Sequence, residues 1–214
     1  MVLRLPKLVI YGAGGHGKVV ADISEKSESF TIAGFIDNAE IEEHFGYKVL
    51  GKDEELSTLK EKGIDYIFVA IGNAKIRKKI SEKLIKSKLL FATIIHPSAQ
   101  IGRDSNIGQG TVVMPGAVIG PNTRIGDGCV INTCASVDHD SVLDDYVQIA
   151  PGAHLGGKIN VGQGTFVGIG SCIKDKITLG KWSVIGAGSA VVDNVPDFVM
   201  SYGVPAKVMR EIND

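Results

Sequence analysis

The sequence predicts a small α/β unit with a parallel sheet over residues 1–93. A parallel β-helix with a C-terminal tail follows over residues 94–214. Three observations predict it. Aliphatic residues recur every six positions through the second part without a break. A glycine-rich segment near the start lies between an apolar run and a helical pattern. Composition also shifts near Ile94: charged and apolar residues alternate before it, whereas Gly recurs and Lys thins out after it.

In the first unit, Lys7 to Tyr11 reads as a strand. The apolar stretch that contains it is too short for a signal segment and is broken by Pro6. Gly12-Ala13-Gly14-Gly15-His16-Gly17 follows, then a helix from about Lys18 to Lys26. Ala33 to Asp37 reads as a second strand, Asp53 to Lys62 as a helix and Tyr66 to Ile71 as a buried strand. Lys75 to Lys88 is an amphipathic helix with Ile76, Ile80, Leu84 and Ile85 on one face. The order βαβαβα implies a parallel sheet. Gly12, Gly14 and Gly17 fit G-x-G-x-x-G between strand and helix, and Asp37 ends the next strand, as in a dinucleotide-binding fingerprint. Small residues there let backbone N–H groups reach a phosphate at a helix N-terminus. The pattern does not require nicotinamide, because a unit of about 90 residues is roughly half of a full dinucleotide fold. A nucleotide diphosphate carrying another group fits equally well, as does a tight turn with no ligand.

The second part steps by six from Ile95 to Val191 through seventeen positions, every one Ile, Leu or Val. One short strand and one tight turn make one side of a triangular coil, and three sides make a coil of 18 residues. Ile95, Val113 and Ile131 then stack inward, coil upon coil. The Gly that often follows the aliphatic supplies either a positive φ or a close backbone approach. Between five and six coils at strand spacing give a prism on the order of 25 Å long.

Bulk properties narrow the function. The formal charge of −1 and the lack of a long basic stretch argue against nucleic-acid binding. No apolar run is long enough to span a bilayer. Three cysteines, Cys129, Cys134 and Cys172, lack metal-ligand spacing and suggest a reducing, cytoplasmic compartment; Cys134 and Cys172 read as small packing residues. No metal is expected. Of five histidines, His44 lies in a charged stretch and reads as solvated, His96 as structural at the junction, and His154 as a partner in a bond between coils. His139 stands apart. It follows inward Val137 by two residues, its neighbours one coil away are Pro121 and Gly157, and Asp138 and Asp140 flank it. Gly157 leaves room beside the imidazole, and a carboxylate can fix its tautomer.

The six-residue period, together with Gly203-Val204-Pro205-Ala206-Lys207, resembles the hexapeptide-repeat acyltransferases. That resemblance implies a left-handed β-helix and a homotrimer, against the general right-handed rule for parallel crossovers. A narrower resemblance covers the whole chain. Gly-Ala-Gly-Gly-His-Gly, then Ala70-Ile71-Gly72-Asn73 with Ile76-Arg77-Lys78-Lys79, then the repeats, is similar to the sugar acetyltransferases of the bacillosamine pathway and to those acting on perosamine or sialic acid. It implies transfer of an acetyl group from acetyl-CoA to the amine of a nucleotide-linked amino sugar. It places Gly14, Gly15 and His16 at the sugar nucleotide, Asp37 and Asn38 at the nucleoside end, and Gly72 on the same cleft. His139 becomes the general base and Asp140 the residue orienting it. Gln148, Ile169 and Ala187 become acyl-CoA contacts, Gln148 standing where many relatives carry a second histidine. O-acetylation of a sialic acid-type sugar is the main alternative. An NAD-dependent oxidoreductase would leave the β-helix idle, a zinc carbonic anhydrase would need three converging histidines, and a non-catalytic scaffold would not explain His139-Asp140.

Overall fold

The computed structural model describes residues 5–212 and contains two compact units that meet after Pro97. The first holds β1 (Lys7–Tyr11), α1 (Gly15–Ser27), β2 (Thr31–Ile36), β3 (Glu43–His44), β4 (Tyr47–Lys48), β5 (Tyr66–Val69), α2 (Ala74–Leu84) and β6 (Leu90–Phe91). Its parallel sheet runs β2-β1-β5-β6. Alternation along these strands sends Val9, Tyr11, Ile36, Ile67 and Val69 into one core with Leu56, Leu59 and Leu84. Leu8, Ile10, Phe35 and Phe68 are fully buried on the opposite face.

Several elements depart from the sequence expectations. α1 begins at Gly15, inside the glycine segment, because Gly17 packs directly on the first glycine: a Cβ on Gly17 would lie 2.1 Å from the Gly12 carbonyl oxygen. The expected helix over 53–62 is a short 3₁₀ segment, Asp53–Ser57, followed by turns. α2 ends at Leu84, and Ile76 and Ile85 are exposed. The side chains that α2 buries are Arg77, Ser81 and Leu84. The hairpin of β3 and β4 was not anticipated.

The second unit is a parallel β-helix of two-residue strands. Up to Val191 the pairings step by 18: Val113 on Ile131 on Ile149 on Val167 on Ile185 in one sheet, and Ile119 on Val137 on Leu155 on Ile173 on Val191 in the next. The third stacks Ile107, Ile125, Leu143, Val161 and Leu179. From Val113 to Val191 the inward aliphatics are buried, whereas Ile101, at the start of the unit, is 39% exposed.

The glycine after each aliphatic has one of its two expected roles. It carries no positive φ but lies under the next coil: a Cβ on Gly120 would sit 2.5 Å from the His139 nitrogen, and one on Gly168 2.6 Å from that of Ala187. The left-handed backbone falls two residues later, at Asp104, Gly110, Gly116, Asn122 and onward by sixes to Gly188. These residues donate their N–H across coils, as Asp140 does to the Pro121 carbonyl and Gly188 to that of Ile169. Buried hydroxyls at Thr111, Thr123, Ser141, Thr165, Ser171 and Ser183 line the inner corners. Thr111 Oγ1, for example, donates to the Gly126 carbonyl and accepts from the Cys129 N–H. The C-terminal tail is not loose: Val199–Gly203 joins the first sheet, and Ala206–Glu211 returns antiparallel to it. Among the described residues, no helix is long and apolar enough to cross a membrane.

Candidate active site

In the first unit, the glycine segment is held open by its neighbours. Gly12 adopts φ 109°, and its N–H donates to the Ile36 carbonyl. Gly14 caps α1 without any side-chain cap, so N–H groups of the first turn remain for a ligand or water. A Cβ on Gly14 or Gly15 would meet no atom within 4 Å, which makes this the open side of the turn. Asp37 pins the turn from below: its Oδ2 accepts the Ala13 N–H at 2.7 Å and its Oδ1 that of Ala39 at 2.9 Å. Asn38 accepts the Asp53 N–H at 3.2 Å.

His16 is not the exposed loop residue that its position suggests. Its Nε2 is enclosed and finds no partner within the fold. Burial, helped by the nearby Arg77 cation, lowers its pKa to about 4, so the ring is neutral at pH 7. Arg77 is 1% exposed, and its Nη1 donates to the Ile71 carbonyl at 2.7 Å and to the Gly72 carbonyl at 3.0 Å. It therefore braces the turn after β5 beside the glycine segment and sets a buried positive charge there. His44, expected to be solvated, has its Nε2 3.1 Å from the Gly14 carbonyl oxygen and its ring edge-on to Phe35. Sequence reasoning passed over both: Arg77 sat in a polar run, and His44 sits on a hairpin with no apolar signature. Tyr11 donates to Asp53 Oδ1 at 2.6 Å, and burial and that carboxylate push its hydroxyl well above the usual range.

In the second unit, His139 occupies a corner of the prism. Asp138 Oδ1 accepts the His139 N–H at 2.7 Å and shapes the turn. Asp140 meets the ring: its Oδ2 lies 2.8 Å from His139 Nδ1. An ionised carboxylate can only accept, so Nδ1 carries a hydrogen and Nε2 is the ring nitrogen left to face a substrate. The imidazole lies against Gly157, where a Cβ would sit 2.7 Å from Nε2. The side chain remains 48% exposed and open to a substrate. Asn122 Nδ2 donates to the other Asp140 oxygen at 2.7 Å, a contact the sequence analysis missed. That bond, then the one from His139, holds the Asp140 carboxyl below the usual carboxylate range.

The CoA candidates lie elsewhere on the same prism. Gln148 pairs with Val130 and Phe166 in another of the three sheets. Ile169 is 59% exposed, and Ala187, one coil on, is exposed as well. The Ile169 carbonyl accepts the Gly188 N–H and so already serves coil stacking. Cys134 and Cys172 are exposed rather than packed, because one occupies a left-handed corner and the other an outward strand position. His154 Nδ1 lies 2.9 Å from Ser136 Oγ one coil below, an inter-coil bond. Among the described residues, no group of three or more His, Cys, Asp or Glu is placed to hold a metal.

Comparison with known proteins agrees with both halves. Residues 7–84 match the family described as PglD N-terminal domain, and residues 98–133 match bacterial transferase hexapeptide (six repeats), which makes the β-helix left-handed. The chain is 37% identical over 110 residues to UDP-N-acetylbacillosamine N-acetyltransferase of Bacillus subtilis, a match that spans 50% of either chain. It is 30% identical over 182 residues to GDP-perosamine N-acetyltransferase of Escherichia coli O157:H7, covering 77% of this chain and 76% of that one. PerB from Caulobacter crescentus, solved in complex with CoA and GDP-perosamine, superposes with a TM-score of 0.92. The two are 36% identical, and the match covers 98% of this chain and 100% of that one.

Proposed function

The chain belongs to the hexapeptide-repeat family of nucleotide-sugar N-acetyltransferases, and from that premise we propose that it moves an acetyl group from acetyl-CoA to the amine of a nucleotide-linked amino sugar. The observation that carries the reading is the His139–Asp140 pair. An imidazole whose Nδ1 is held by a carboxylate, leaving Nε2 for a substrate proton, stands on an exposed corner of an acyltransferase scaffold. Nε2 removes a proton from the amine as its nitrogen attacks the thioester carbonyl. The C–N bond forms, the C–S bond breaks, and the imidazolium returns the proton to the departing CoA thiolate. The Gln148 amide or a backbone N–H bonds the transient oxyanion.

The glycine turn takes the diphosphate through Gly14 and Gly15. His16 supplies a neutral ring nitrogen, and Asp37, Asn38 and Gly72 border the nucleoside side. The uncapped first turn of α1, open above Gly14 and Gly15, supports this reading. Acyl-CoA runs past Ile169 and Ala187. Acetyl-CoA as donor and three free cysteines fit the cytoplasm.

Release of CoA thiol from acetyl-CoA, followed across a panel of UDP- and GDP-linked sugars with and without a free amine, tests the reaction. Turnover confined to the amino sugars is expected, and thiol release with none of them removes the reading. Gln148 and His139 lie in different parts of the triangle, so a shared site calls for a neighbouring prism, and the assembly is a homotrimer. Light scattering at micromolar concentration should give three times the 22.7 kDa chain mass. A monomer mass would rule out the shared site.

A further inference from the structure

We infer that Asn122 is a positioning residue for the transfer reaction: its side-chain amide, one coil below Asp140, fixes the carboxylate that in turn fixes His139. This deepens the function proposed above and rests on it for its catalytic meaning.

The geometry is a three-residue relay across two coils. Asn122 Nδ2 donates to Asp140 Oδ1 at 2.7 Å, and Asp140 Oδ2 faces His139 Nδ1 at 2.8 Å. Each carboxylate oxygen thus has its own donor, and the carboxyl plane cannot rotate about its bond without losing both. If it did rotate, nothing would select Nδ1 as the protonated nitrogen, and Nε2 would carry the proton part of the time. A general base needs Nε2 bare.

The fold explains why the relay can exist at this corner. Asn122 and Asp140 both have left-handed backbone, with φ 58° and 56°, and stand 18 residues apart in one column. Their Cβ atoms therefore project in the same sense from adjacent coils. Asn and Asp are the residues that enter this conformation at least cost while carrying a hydrogen-bonding side chain. Glycine, which fills many equivalent corners, would relax the backbone but supply no donor. Lys158, in the same column one coil above, also favours the Asp140 anion. Asp138, next to His139 in sequence, is engaged by the His139 N–H.

Two variants test the relay. Asn122→Gly keeps the left-handed corner and removes only the amide. It should lower kcat on the order of tenfold, the low end for loss of a group that orients a reacting side chain. Both substrate KM values should stay unchanged. Asn122→Asp keeps the shape but sets a second carboxylate against Asp140. With the donor replaced by an acceptor, kcat should fall here too, again with both KM values unchanged, a split that a loss of folding would not give. The third readout is independent of activity. ¹⁵N NMR of the His139 ring should show Nδ1 protonated in the native protein and a mixture of tautomers in Asn122→Gly. An unchanged kcat or an unaltered tautomer in these variants would overturn the proposal. If the tautomer shifts but the native protein acetylates no amino sugar, the relay stands and the assigned reaction fails.

Discussion

Replacement of His139 by alanine is expected to lower kcat by about 10²–10⁴-fold at neutral pH, the usual contribution of a general base. The fold should not notice. The side chain is half exposed, and its backbone bonds, such as its carbonyl accepting the Lys158 N–H, do not depend on the ring. Both substrate affinities and the assembly should therefore persist. The alanine variant should lose whatever part of the pH–rate profile the ring supplies. Asp140→Asn should also lower kcat, since an amide can donate to Nδ1 and leave the proton on Nε2. Steady-state kinetics across pH decide the matter. A near-native kcat with the same profile in His139→Ala would move the chemistry to another residue, with the β-helix untouched.

Gly14→Val should raise the KM for the sugar nucleotide by about 10–100-fold, the loss of one charge-assisted hydrogen bond to phosphate. The KM for acetyl-CoA should not change. The position allows a clean experiment. Gly14 has φ −106°, which any residue adopts, and a Cβ there meets no protein atom. Valine thus fills only the space a phosphate would use. Gly17 offers no such test, since any side chain there collides with the Gly12 carbonyl and displaces the helix. Equal loss of both affinities in Gly14→Val would mark the turn as a folding element instead.

The β-helix was legible because one period governs it. A six-residue step names every inward side chain from Val113 to Val191, and the register holds without a slip. The first unit was less legible. Its strands announced themselves by apolar runs, but the face of α2 was misjudged. Ile76 and Ile85 suggested an apolar stripe, whereas the buried position between them belongs to Arg77, whose charge is satisfied by backbone carbonyls that no pattern marks. His44 reaches Gly14 only because a two-residue hairpin turns it back, and such short strands carry little periodic signal. In the candidate site, His139 and Asp140 are neighbours in sequence and are visible together. Asn122 is recoverable by arithmetic, since the 18-residue step from Asp140 lands on it, but nothing in its own sequence neighbourhood marks it.

The unbroken 18-residue register has a consequence for how chain length can vary. Deleting one residue between Ile107 and Val191 would rotate every downstream aliphatic off the axis and unpair each corner from its counterpart below. Deleting eighteen would remove one storey and leave the rest in phase. Length is therefore quantised, and viable indels in this half come as whole storeys or as excursions confined to a corner. A removed storey would break the contact from Asn122 through Asp140 to His139 if it took any of the three or the Gly157 shelf with it.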